Sequence, residues 1–285
     1  MTFEDIYTRV MGKCHHDPAT DTDLLAVVKG FINSRYQEVW AYLKKHDPIF
    51  GRATSSAVTI VPYQTGTVET DGTDTVIGTD TVWIEGMIGR KFKLDTFAEV
   101  YEIEDVESTT EIELVNAVND DADSELTYII YQDVINLPAD CMDIIAIKQD
   151  ITGGLLSPIG LAEIRKKQAD CPISVDPLKI LDPVYYAWLN SSQIIVYPAP
   201  ARQLQLVIDY TIKLTELADD DDEPMLPIEQ GNILVQGAIA DLLFYKDDPR
   251  ADQADAKFYS MLATLARKNA FDTDMITFKP KVHRT

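Results

Sequence analysis

Tyr101-Glu102-Ile103-Glu104-Asp105-Val106 and, after four residues, Glu111-Ile112-Glu113-Leu114 decide how this chain is read. Apolar and acidic residues alternate with a period of two, the signature of a half-buried β-strand. The spacing turns Tyr101, Ile103, Ile112 and Leu114 toward a core and sets the carboxylates between them on the outer face. The acid is therefore displayed.

Working outward, the same period recurs in Val58–Val61, Gly66–Thr70, Thr73–Ile77, Lys91–Leu94, Glu99–Val106, Thr110–Val115 and Leu126–Tyr131. Asp71-Gly72 and Asn119-Asp120-Asp121 punctuate them with turn chemistry. Residues 55–134 carry 18 Asp and Glu against Arg90, Lys91 and Lys93, about −15 of a total charge of −22. This predicts an acidic all-β barrel or sandwich. On its flanks the period changes to that of helices. Leu24, Leu25, Val28, Ile32, Tyr36, Val39, Trp40 and Leu43 form one face over residues 21–45, and Phe3, Ile6, Tyr7 and Val10 a shorter one over 2–12. After Leu137-Pro138 the pattern predicts a strand over 142–148, a Gly153-Gly154 turn, a short helix over 158–169, strands ending at 194–197 and 204–212, and helices over 228–245 and 250–268. The expected fold class is α+β. A helical bundle core, built from N- and C-terminal helix pairs plus a small sheet, would span residues 1–54 and 135–274, with 55–134 as an inserted β domain and 275–285 as a basic tail.

With 285 residues and 46% hydrophobic content the chain is long and apolar enough to bury a core despite its charge. Cys14, Cys141 and Cys171 fit no metal or redox spacing and are expected to be reduced thiols. Met1–Lys13 lacks the basic-then-apolar layout of a secretory signal, and the most apolar window, 233–245, contains Gln236 and Asp241 and is far shorter than the roughly 20 residues a membrane span needs. A soluble product of the cytoplasm, with no membrane partner, is expected. An isoelectric point near 4.4 disfavours binding to a phosphate backbone, which draws its affinity from Lys and Arg.

Few residues suggest chemistry. Cys14, His15, His16 and Asp17 invite a metal reading, but adjacent histidines point apart on any regular backbone. Asp219, Asp220, Asp221, Asp222 and Glu223 lack the alternating ligands and central glycine of a calcium loop, and are expected to be a solvated acidic surface able to neutralise a neighbour's basic residues. Tyr185, Tyr186 and Trp188 read as sheet packing or a subunit contact; an exposed Trp83 or Trp188 beside paired carboxylates would instead suit a carbohydrate-binding module. No nucleophile elbow, phosphate loop, dinucleotide fingerprint or zinc-protease motif occurs, so no catalytic residue, metal or cofactor is expected.

The order of phrases in the second half resembles the head-to-tail adaptor proteins of tailed bacteriophages. It runs Asn136-Leu137-Pro138-Ala139-Asp140-Cys141-Met142, Tyr185 to Leu189, Ile194-Ile195-Val196-Tyr197-Pro198-Ala199-Pro200, Ile208-Asp209-Tyr210, Leu214-Thr215 through Glu223-Pro224-Met225-Leu226-Pro227, and Gly237-Ala238-Ile239-Ala240. Thr65-Gly66-Thr67-Val68, Val76-Ile77-Gly78-Thr79, Gly89-Arg90-Lys91-Phe92 and Tyr101-Glu102-Ile103 are similar to a β domain found in related adaptors. The resemblance implies a virion protein that forms a ring, commonly of twelve subunits, beneath the portal protein and above a tail or stopper protein, with DNA passing nearby without specific binding. It also implies a C-terminal segment inserted between portal subunits. Lys279, Pro280, Lys281, Val282, His283 and Arg284 occupy that position here. The alternative within the virion is a tail-completion or tube-capping ring.

Overall fold

The computed structural model describes residues 1–47, 49–95, 99–118, 123–150, 153–170, 182–226 and 231–274. The fold is mixed α+β and divides into two compact units, 1–52 with 213–285, and 53–212. Residues 135–212, expected with the helical core, fall in the second unit.

The first unit is helical among its described residues: α1 (Phe3–Lys13), α2 (Thr22–His46), α4 (Gly231–Tyr245) and α5 (Ala251–Asp274). Thr2 and Asp5 make a reciprocal capping box that starts α1. Most periodic residues of α1 and α2 are buried as expected, including Phe3, Ile6, Val10, Val28, Ile32, Tyr36, Val39 and Leu43, while Leu24 and Leu25 are half-buried at the start of α2. They share one core with Ile233, Leu234, Val235, Ala238 and Leu242 of α4 and Phe258 and Leu262 of α5. Ten residues of α4 are buried around its circumference, because α1, α2 and α5 all pack on it. Its sequence is apolar all round for that reason, not amphipathic. Gly237 serves the packing: a Cβ there would lie 3.0 Å from both the Arg35 stem and the Phe258 ring.

Among its described residues the second unit holds three sheets. The strands β2 (Thr67–Thr70), β3 (Thr75–Thr79), β4 (Lys91–Leu94), β5 (Tyr101–Ser108), β6 (Glu111–Leu114), β7 (Asp123–Leu126) and β8 (Tyr128–Tyr131) form a seven-stranded antiparallel sheet in the order β7-β2-β3-β6-β5-β4-β8. It curls around its own core of Val68, Val76, Trp83, Phe92, Ile103, Ile112 and Tyr128. Tyr101, Ile103, Ile112 and Leu114 are buried, and Glu102, Glu104 and Glu111 exposed, as the alternation predicts, while a register shift after Ile103 turns Asp105 outward as well. Trp83 donates its indole N–H to the Tyr128 hydroxyl at 3.1 Å and is 1% exposed, so it offers no cleft to a sugar.

Val58–Val61, expected within the acidic module, behaves differently. Only Val58 of it lies in a strand, the end of β1 (Arg52–Val58), which joins β14 (Gln205–Ile212) and β10 (Cys141–Gln149) in a separate three-stranded sheet. The third sheet, of β11 (Ser157–Pro158), β12 (Tyr185–Asn190), β13 (Gln193–Tyr197) and β9 (Val134–Asn136), shares a core with it through Ile135, Ile147, Ile194, Val196, Leu206 and Ile208. The helix α3 (Leu161–Asp170) packs on this third sheet, burying Ile164 against Ala187 and Ile195.

Gly78 marks a tight point of the curled sheet: an added Cβ would lie 2.7 Å from the Trp83 ring and closer still to the Thr81 side chain. We expect Gly78→Ala to destabilise this unit by about 1–3 kcal/mol through overpacking. Urea unfolding followed by circular dichroism checks this, and an unchanged midpoint would contradict it.

Candidate functional site

The acidic run at residues 219–223 is the best-defined cluster of charge among the described residues, and its backbone does as much as its side chains. The carbonyl of Asp222 accepts from Phe3 N–H at 2.7 Å and that of Asp220 from Glu4 N–H at 3.0 Å. These are amides of the first turn of α1, which have no partner within the helix. Asp220 also accepts from Lys29 Nζ at 2.7 Å, and Lys29 lies over the Phe3 and Tyr7 rings at 5.2 and 4.7 Å. Asp222 closes its own turn by accepting from Ala218 and Asp219 N–H at 2.7 and 2.9 Å. Glu223 lies 3.4 Å from the terminal ammonium. Asp219 and Asp221 face solvent. The loop is anchored on its flanks by Asn33, which exchanges two hydrogen bonds with the Leu217 backbone, and by Tyr36, whose hydroxyl accepts from Met225 N–H.

The bond from Lys29 holds the Asp220 carboxyl below its ordinary value, and backbone N–H groups do the same for Asp222. A depressed carboxyl stabilises the fold above its ordinary pKa of 3.8, and that contribution is lost as pH falls through the lower folded value. Below about pH 4, therefore, the start of α1 should loosen, read as faster amide exchange at Phe3 and Glu4, whereas the amides of Ile233 and Leu234 in α4 should keep their protection.

A second cluster went unseen in the sequence. Arg35, 9% exposed, donates to Asp241 through Nε and Nη2 at 2.8 and 2.6 Å, to Asp255 at 2.8 Å and to Glu38 at 3.0 Å. The hydrogen bonds to Asp241 raise the guanidinium pKa beyond its already high value, against the opposing effect of burial. Its face stacks over Phe258 at 4.6 Å, and Tyr259 donates to Glu38 at 2.8 Å. Beside it opens a groove of about 590 Å³ lined by Phe31, Glu38, Asp241, Phe244 and Tyr245. Removing the guanidinium would leave three carboxylates crowded together, so Arg35→Leu should cost about 3–5 kcal/mol, and Arg35→Lys, which cannot fork to two acids, should recover only part. Denaturant midpoints of the two variants and the wild type read this out.

The remaining predicted residues are not brought together as a chemical centre. His16 pairs with Asp21 at 2.7 Å and touches Lys246, whereas His15 is exposed with a positive φ of 61°. Among the described residues no group of three metal-ligating side chains gathers. Burial raises the Cys14 thiol, against the lowering influence of Lys246 and Arg250. Tyr185, Tyr186 and Trp188 lie in β12, where Tyr186 packs into the core shared by the two smaller sheets. Cys171 and the whole basic tail, Lys279, Pro280, Lys281, Val282, His283 and Arg284 included, lie outside the described residues.

On the outer face of the seven-stranded sheet Asp105 stands directly opposite Glu113. Burial first, then the charges of Glu107, Asp74, Asp105 and Glu104, raise the Glu113 carboxyl. This is a concentrated negative surface. The chain belongs to the SU10 adaptor protein family, which matches residues 97–277, and is thus a bacteriophage structural adaptor. No curated protein matches it.

Proposed function

We propose that the protein is a head-to-tail adaptor that forms a ring between the portal and the tail of a bacteriophage virion and surrounds the path of the DNA. The family match across residues 97–277 carries this reading. The helices α1, α2, α4 and α5 would form the bundle that makes the ring body. The basic tail, Lys279 to Arg284, would insert between portal subunits. Its charge is opposite to that of the rest of the chain, which suits docking on a partner.

The carboxylates of the seven-stranded sheet would repel phosphate and let DNA pass without adhering. Twelve copies of a module carrying about −15 would also repel one another within a Debye length of roughly 8 Å, which favours modules spread apart or facing cationic partners. Alongside this, no helix among the described residues is long and apolar enough to cross a membrane.

The test is native mass spectrometry of the chain alone and with the portal of the same virus, repeated after removal of residues 275–285. The expected result is a ring of copies on the portal that is lost with the tail. Indifference to the portal would overturn the reading and promote a tail-completion ring.

A further inference from the structure

Two grooves of opposite charge open on the helical unit, one between α2 and α4 and the other among α1, α4 and α5. The first is the groove beside Arg35, where one guanidinium serves Glu38, Asp241 and Asp255, leaving a surplus of carboxylate next to the exposed rings of Phe244, Tyr245 and Tyr259. The second, of about 530 Å³, is lined by Lys13, Cys14, Leu243, Arg250 and Lys257, and no acid lines it. Arg250 is engaged by Asp248 at 2.7 Å, whereas Lys13 and Lys257 are exposed and make no ion pair among the described residues.

The helical period separates the two grooves. Along α4, Asp241 and Tyr245 face one and Leu243 the other; along α5, Asp255 and Tyr259 lie on the Arg35 side and Lys257 on the opposite one. Residues two apart on a helix point about 200° apart. Contact between unlike faces of identical chains is heterologous, and repeats head to tail until a ring closes. A lysine arriving at the acidic groove would meet carboxylates and aromatic faces together, which is the environment that holds a cation best.

We infer that these two faces bind each other between copies of this chain, the Lys13–Lys257 groove of one copy meeting the Glu38–Asp241 groove of the next. The inference deepens the ring reading above and rests on it. It names the contact by which neighbouring subunits associate, and it makes that contact electrostatic.

Sedimentation velocity of the full chain at high concentration and low salt tests this. Wild type should associate, and added salt should weaken the association. Glu38→Lys and Lys257→Glu should each weaken it at least about tenfold through like-charge contact. Lys13→Glu gives an independent reading from the other side of the basic groove. A one-to-one mixture of E38K and K257E offers one wild-type contact and one charge-swapped contact and should associate as wild type does, and both substitutions in one chain should restore association. That restoration also excludes misfolding as the cause of the single losses. Removal of residues 275–285 should leave association unchanged.

A wild-type chain that stays monomeric, or variants that associate as well as wild type, would overturn the inference. So would association lost with the tail but indifferent to the charge changes, which would make the tail the occupant of the groove. A chain that fails here yet forms rings on the portal leaves the ring reading standing and only this contact refuted.

Discussion

Arg35 joins parts of the chain that lie more than 200 residues apart. Its partners Asp241 and Asp255 belong to α4 and α5, while Glu38 is on its own helix, so one guanidinium ties the front of the sequence to the back. Gly237 makes the room, and Phe258 supplies the ring beneath the guanidinium plane. A charge so buried tolerates the loss of neither its hydrogen bonds nor its counterions. The helical unit thus has an internal lock with a fixed register, around which the apolar faces of α1, α2, α4 and α5 close. The acidic loop fastens the same unit at another point, through the first turn of α1 and Lys29.

Much of this was legible in the sequence wherever one face of an element is dry and the other wet. The three- and four-residue spacing of Val28, Ile32, Tyr36 and Val39 gave α2 nearly to the residue, and the alternation in β5 and β6 gave both the strands and the outward carboxylates. Legibility failed where partners are distant or where the backbone does the work. The pairing of β1 with β14 crosses some 150 residues and leaves no local mark, so Val58–Val61 read as part of the acidic module. Nor can a sequence show that the carbonyls of Asp220 and Asp222 cap α1, since any residue offers a carbonyl. The five acids read as a solvated surface; four of them are exposed, Asp222 is half-buried, and the backbone carbonyls of Asp220 and Asp222 carry a structural role besides. Arg35 was invisible because a single arginine in a charged chain has many conceivable partners, and only the fold selects three.

The electrostatics are not uniform. Carboxylates in the curled sheet stand against one another, Asp105 against Glu113 across the strand pair, an arrangement that costs stability in a sheet. The core of Trp83, Phe92, Ile103 and Tyr128 offsets that cost. In the helical unit, by contrast, charge is paired and localised: an arginine with three acids, Lys29 with Asp220, and a basic groove kept apart from both. In one unit like charges face one another across a sheet, while in the other they are matched with opposite charge at chosen places.

The chain leaves the helical unit at Arg52 and returns at Lys213, and β1 and β14, at the two ends of the intervening unit, are neighbours in one sheet. That layout sets a schedule for synthesis. The apolar face of α2 is complete at Leu43, but its cover in α4 begins only at Ile233. At about 5–20 residues per second, translation leaves that face waiting for roughly 10–40 s. The intervening unit has all its strands before α4 emerges, so the nascent chain can finish the middle of the protein before it can finish the beginning.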